Sequence, residues 1–178
     1  MAYGIFESTN IKGRNFSFQS PNDVENGTLV CRGPMITKDI YQVAFPTAAN
    51  MGTEKMFIVG NPAWSPDNSS IINQNENEFI NKAGKAFRAY ELLPNDKFTV
   101  ADYSIDMGGT GDNIVVGNYI TPSHNSGKLA STASDTALDT CAFVGRVVQV
   151  KPQGNEYYVG ENVNLRVRKV VIEVIQNG

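Results

Sequence analysis

One histidine, two cysteines and one tryptophan are all that 178 residues supply of those types, and the shortages remove several kinds of chemistry before the fold is considered. A serine triad needs a base that titrates near neutrality. The sole histidine, His124, sits in the turn-rich stretch Thr121-Pro122-Ser123-His124-Asn125-Ser126-Gly127, with no Gly-x-Ser-x-Gly pattern beside it. There is no Cys-x-x-Cys and no histidine pair for zinc, and no stretch has the spaced aspartates and closing glutamate of an EF-hand. Cys31 and Cys141 lie far apart and read as small buried hydrophobes rather than as a disulfide framework. Long apolar runs are missing too: no window approaches the roughly 18 residues of a membrane-spanning helix. Met1 to Asn15 lacks a basic segment followed by an apolar one, so synthesis in a cytosol without a secretory leader is expected. Asn26-Gly27-Thr28 and Asn68-Ser69-Ser70 match the glycosylation pattern, but without such a leader they read as turns. Charge is also scarce. Lys, Arg, Asp and Glu make up 19% of the chain and the net charge is -3, which provides neither a basic field for nucleic acid nor an acidic tail.

What is abundant is turn chemistry and β-branched residues. Sixteen glycines, many asparagines and serines, and short alternating runs point to an all-β protein, a small barrel or sandwich with an extended N-terminal arm and at most one short helix. Strands are expected at Thr28–Arg32, then after a Gly33-Pro34 turn at Asp39–Phe45, and at Lys55–Val59. The second half is more regular, with Phe87–Leu92, Lys97–Ile105, Asn113–Ile120, Lys128–Ser131, Ala142–Val150, Glu156–Val159 and Leu165–Ile175. In Phe87–Leu92, Phe87, Ala89 and Glu91 share one face. After Pro94-Asn95-Asp96 the alternation restarts at Phe98 and Val100, which reads as a hairpin or meander. Near the end, Val163, Leu165 and Val167 have one parity and Val170, Ile172 and Val174 the other, so either a β-bulge near Arg168-Lys169 or a corner between two strands is required. Arg166, Arg168 and Lys169 form the one local basic cluster and read as a solvated face. Glu76–Lys82, closed by Gly84, is the best helical stretch.

Residues 1–25 carry isolated aromatics, Tyr3, Phe6, Phe16 and Phe18, without a sustained period. They read either as an extended arm that buries these rings against a neighbour or as a first strand on the domain's own sheet. The remainder, 26–178, is one β-rich domain or divides into a smaller lobe, 26–84, and a barrel, 85–178. The segment Ala63–Asn77 reads as a long surface loop, and its Trp64 is either an interface residue or a cover for the core. Asp102, Asp106 and Asp112 around Met107-Gly108-Gly109-Thr110-Gly111 suit a hairpin tip or, less simply, a loop for a hard cation. No Lys-Ser/Thr or helix follows these glycines, so they do not form a phosphate cradle. Strand aromatics such as Tyr90, Tyr103 and Tyr119 could stack nucleic-acid bases, but a sequence pI near 5.2 opposes binding to a phosphate backbone, so they read as core. No pattern calls for a cofactor.

Five segments occur in an order that resembles a family of tailed-phage head proteins, the capsid decoration or cement proteins. They are Asp39–Pro46 (DIYQVAFP), Glu78–Leu92 (EFINKAGKAFRAYEL), Asn95–Val100 (NDKFTV), Val116–Pro122 (VGNYITP) and Phe143–Val150 (FVGRVVQV), spread over Gly27 to Val150. The resemblance implies a non-enzymatic virion protein, made in the bacterial cytoplasm, that adds to the capsid exterior and clamps the major capsid protein. Charge and the lack of long apolar runs leave no nucleic-acid or membrane partner expected, and on the resemblance trimers at local three-fold positions would be a natural geometry. On that reading Tyr3, Phe6, Phe16, Phe18 and Trp64 are the candidate contact residues. The competing expectation is a carbohydrate- or ligand-binding β-module.

Overall fold

Alternation in the first half of the chain closes on itself. Five strands, β2 (Asn15–Gln19), β3 (Leu29–Thr37), β4 (Ile40–Ala44), β5 (Met56–Val59) and β6 (Ala86–Glu91), pair in the cyclic order β2-β4-β3-β5-β6 to form a closed barrel. The β2–β4 pair is parallel and the others are antiparallel. A barrel this narrow has room inside only for side chains. Phe18, Val30, Val43, Phe57, Val59, Phe87 and Ala89 form its buried filling. The computed structural model describes residues 4–62, 79–106, 114–151, 156–158, 164–166 and 168–178, with the backbone alone at 156–158 and 164–166.

The rest of the chain builds an open sheet of seven strands. β1 (Phe6–Asn10), β7 (Lys97–Ala101), β8 (Ile105–Asp106), β9 (Tyr119–Pro122), β10 (Leu129–Thr132), β11 (Phe143–Lys151) and β14 (Lys169–Asn177) lie in the order β1-β7-β14-β11-β9-β10-β8. Only the terminal β10–β8 pair is parallel. β12 (Glu156–Tyr158) and β13 (Asn164–Arg166) form a separate two-stranded ribbon. One four-residue helix, α1 (Ala137–Thr140), is the sole α-helix among the described residues. The all-β architecture with one short helix is therefore observed.

Sheet and barrel share a core. Leu29, Cys31, Met56 and Ile58 leave the barrel wall on its outer side and pack with Phe98, Val100, Ile120, Phe143 and Ile172 of the sheet. β5 explains its own sequence: all four residues are buried because Phe57 and Val59 face the lumen while Met56 and Ile58 face the sheet. A strand covered on both faces reads as a continuous apolar run, and Met-Phe-Ile-Val is one.

Several expectations are corrected. Residues 1–25 are not a free arm in their described part: Phe6–Asn10 pairs with β7, and Asn15–Gln19 pairs with both β4 and β6. The barrel is formed by residues 15–91, not 85–178. Gly33-Pro34 does not turn the chain. β3 runs through it, and the β3–β4 register shifts between Arg32 and Met35 and again before Thr37, irregularities of the kind that let a strand accept proline. β6 and β7 are not a hairpin, because one belongs to the barrel and the other to the sheet. Near Arg168 the chain passes from β13 to β14, the corner rather than the bulge. Residues 79–82 are not helical, and Asn81 forms a lone bridge with Val24. The Ala63–Asn77 loop, residues 76–78 and the glycines of 107–113 lie outside the described residues.

Candidate interaction surface

The chemistry-bearing side chains are dispersed. His124 is exposed in a turn whose next residue, Asn125, has φ 61°. No group of three or more His, Cys, Asp or Glu residues suited to a metal ion occurs among the described residues. Cys31 and Cys141 are both free thiols. Burial first, and then the nearby Glu54 carboxylate, push the Cys31 thiol up to about 12, and its sulfur lies 3.3 Å from that of Met56. Such a thiol stays protonated at neutral pH and is a poor nucleophile.

The barrel has one unusual end. β3 pairs with β5 only through Leu29–Cys31, whereas its pairing with β4 continues to Thr37. From Arg32 onward β3 therefore has no described strand on its β5 side. Arg32 shares the parity of the lumen residue Val30 and lies over that open seam. Its guanidinium carbon is 4.7 Å from the Phe16 ring centroid, 4.6 Å from Tyr41 and 5.1 Å from Phe57. A guanidinium over ring faces is attracted by their quadrupoles and covers apolar surface while its N–H edge stays wet. A depression of about 290 Å³ opens beside it, lined by Arg32, Glu54, Lys55, Phe57 and Glu91. Beyond, the β3–β4 hairpin exposes Met35 (56%) and Ile36 (47%), two large apolar side chains in succession.

A second concavity lies where barrel and sheet meet at the sheet's β1 edge. Phe6 and Ser8 of β1 face Arg88 and Tyr90 of β6 across a cleft of about 200 Å³, with Asn26 and Asn61 at its side. The Phe6 and Tyr90 rings stack at 5.8 Å. Gly60 makes that stack possible, since a Cβ there would run into the Phe6 ring. The amides are fixed: Asn26 donates to the Asn61 carbonyl at 2.8 Å and accepts from the Asn61 N–H at 3.0 Å and from the Asn81 side chain at 3.1 Å. Arg88, exposed, has neither an ion pair nor a side-chain hydrogen bond among the described residues.

The sequence-derived contact residues are scattered by the fold. Phe18 is fully buried in the lumen and is core; Phe16 is half-buried under Arg32 at the barrel mouth; Phe6 is half-buried in the cleft wall. Tyr3 and Trp64 lie outside the described residues. Of the basic cluster, the two members with described side chains are paired rather than free in solvent. Lys169, 8% exposed, pairs with Glu7, and Arg168 pairs with Asp102 at 2.7 Å. Sequence reasoning missed Arg32, Met35, Ile36 and Arg88. For Arg32 a signal existed, a charged residue at the lumen parity of Val30, but reading Gly33-Pro34 as a turn ended the strand before it mattered. Compared with family models, curated proteins and solved structures, the chain matches none.

Proposed function

We propose that this is a non-enzymatic structural protein that attaches to the outer surface of a tailed-phage capsid and stabilises the lattice of the major capsid protein. The order of the five resembling sequence segments suggests the setting, and the β3–β4 hairpin carries the mechanism. It projects Met35 and Ile36 into solvent from a barrel that cannot easily deform, which is the arrangement of a docking finger on a rigid body. A protein that binds only the assembled lattice stabilises that state by mass action, and many copies share the load. The anchor in this reading is the hairpin rather than an arm of residues 1–25, whose described strands pair within the fold, β2 on both sides and β1 on one.

The test is quantitative. Gradient-purified particles are analysed by mass spectrometry and gel densitometry for copies of this chain per copy of major capsid protein. A high, fixed ratio is expected, together with loss of attachment in Met35→Asp/Ile36→Asp protein that still folds. Absence from the particles overturns the reading and favours the carbohydrate- or ligand-binding alternative.

A further inference from the structure

At its β1 end the seven-stranded sheet has a strand edge that is free over the strand's whole length among the described residues. At one end of the sheet β8 has two residues; at the other β1 has five, its sequence Phe-Glu-Ser-Thr-Asn holds no lysine or proline, its glutamate is paired with Lys169, and its one irregularity lies at the far end, between Ser8 and Asn10. β1 bonds to β7 on one side and to no described strand on the other. Its last three residues are exposed. On the face that turns toward the barrel, Phe6 and Ser8 form one wall of the cleft, and Arg88 stands across it.

Edge and cleft together define a ligand. A strand added beside β1 would lie about 4.8 Å away, with alternate side chains on the same face as Phe6 and Ser8. One of those side chains would enter the cleft next to Arg88. Among the described residues, no aspartate or glutamate lines that cleft, and the Arg88 guanidinium and the Ser8 and Tyr90 hydroxyls make no side-chain hydrogen bond that a ligand would have to break. The carboxylate of an extended acidic segment satisfies these donors, and the Phe6–Tyr90 stack covers the apolar stem. We infer that β1 and the Arg88 cleft form a strand-addition site for an extended protein segment that presents a glutamate or aspartate to Arg88. The inference deepens the capsid reading, on which it rests for the source of that segment, by stating the partner's chemistry.

The probe is an acetylated and amidated heptapeptide, Thr-Val-Thr-Glu-Thr-Val-Thr, titrated into isotope-labelled full-length protein, with peptides carrying Gln or Lys at the centre as controls. The expected result is selective movement of the β1, Asn61 and Arg88 resonances and slowed hydrogen exchange along β1. Binding of the Glu peptide should be about tenfold tighter than that of the Gln peptide. Arg88→Gln, an exposed position on the barrel's outer wall, should abolish that preference without changing the rest of the spectrum. Equal binding of the three peptides, a preference that survives Arg88→Gln, or no binding at millimolar peptide overturns the inference. These outcomes are independent of capsid attachment: peptide binding by a protein absent from particles leaves the strand-addition site standing and removes the capsid reading, and the converse result does the opposite.

Discussion

Barrel and sheet solve the same problem in opposite ways. Each of the five barrel strands has two neighbours, and apart from β3 beyond Cys31 only its ends and outer wall can meet a partner. The sheet is open, and its first strand has no described strand along one edge. The residues that hold each part follow suit. The barrel is filled by aromatic rings in edge and tilted contact, Phe16 and Phe18 against Phe57 at 5.5 and 5.4 Å, whereas the sheet side is mostly aliphatic. The closed region gives its exposed hairpin a rigid base, and the open region leaves strand backbone available for pairing. The two are coupled because β5 contributes alternate residues to both cores.

The largest effects come from deleting a ring on either side of β5. Phe18→Ala in the lumen and Phe98→Ala in the shared core should each cost about 3–5 kcal/mol, since both rings are fully buried. Because β5 belongs to both cores, chemical denaturation followed by far-ultraviolet circular dichroism and by the backbone amide resonances of β2 and β14 should give one coincident transition for each variant. Two separated transitions would break the comparison by making barrel and sheet independent folding units. Next in size is the clasp at the end of β14. The Asn177 side chain accepts from Met56 N–H at 2.8 Å and donates to the carbonyls of Met56 and Leu92 at 2.9 Å each, tying the sheet's longest pairing to the barrel. Asn177→Ala leaves buried backbone groups without partners and should cost about 1–3 kcal/mol in urea unfolding, with an unchanged m-value.

Which parts of this could be read from the sequence follows from what is local. Phe87–Leu92 alternates over its own length, and the structure places a strand there; Ala142–Val150 is a strand as expected, whereas Lys97–Ile105 is broken by a turn of 3-10 helix at Asp102–Ser104. Partnership is not local. Pro94-Asn95-Asp96 does turn the chain, with Asn95 at φ 71°, but the turn is held by a buried Asp96 carboxylate accepting from Lys12 and Leu93 N–H groups, and it leads from one sheet into the other. Turn chemistry specifies a reversal and not the strand that follows. Residues 6–10 looked like an arm because their pairing partner, β7, lies some ninety residues away and leaves no period nearby. Of the candidate site, Phe6 and Phe16 were legible as aromatics short of a local core. Arg32 and Arg88 were not, since an arginine on a strand looks the same in sequence whether it faces solvent, caps rings or lines a cleft.

Arg32 tests how much the barrel's open end matters. Removing a cation from three ring faces at an exposed position should cost about 0.5–1 kcal/mol, so Arg32→Ala is expected to shift the urea midpoint slightly. Arg32→Lys should recover only part of that, because an ammonium lacks the planar face that stacks on the rings. A cost comparable to Phe18→Ala would mean that the mouth, and not the lumen, holds the barrel closed.

The smallest effect concerns the loop beneath the barrel, where Asp23 joins the segment before β3 to the one before β6. Its carboxylate accepts the Ala83 N–H at 2.8 Å and a Lys82 ammonium hydrogen at 3.0 Å, and these contacts, the backbone bond first, hold it below the ordinary aspartate value. A folded-state pKa below the unfolded one means that the unfolded chain takes up the proton more readily. The contribution is therefore fully present above the unfolded aspartate value and is lost as pH falls through the lower folded value. Asp23→Asn should leave the acid limb of the stability profile slightly flatter than that of the unsubstituted protein and change little at neutral pH, where the pair is exposed to solvent. Urea midpoints measured from pH 7 down to pH 3 check this. An identical acid limb in both proteins would show that Asp23 does not couple protonation to folding, and would leave the Val24–Asn81 bridge to hold these two segments together.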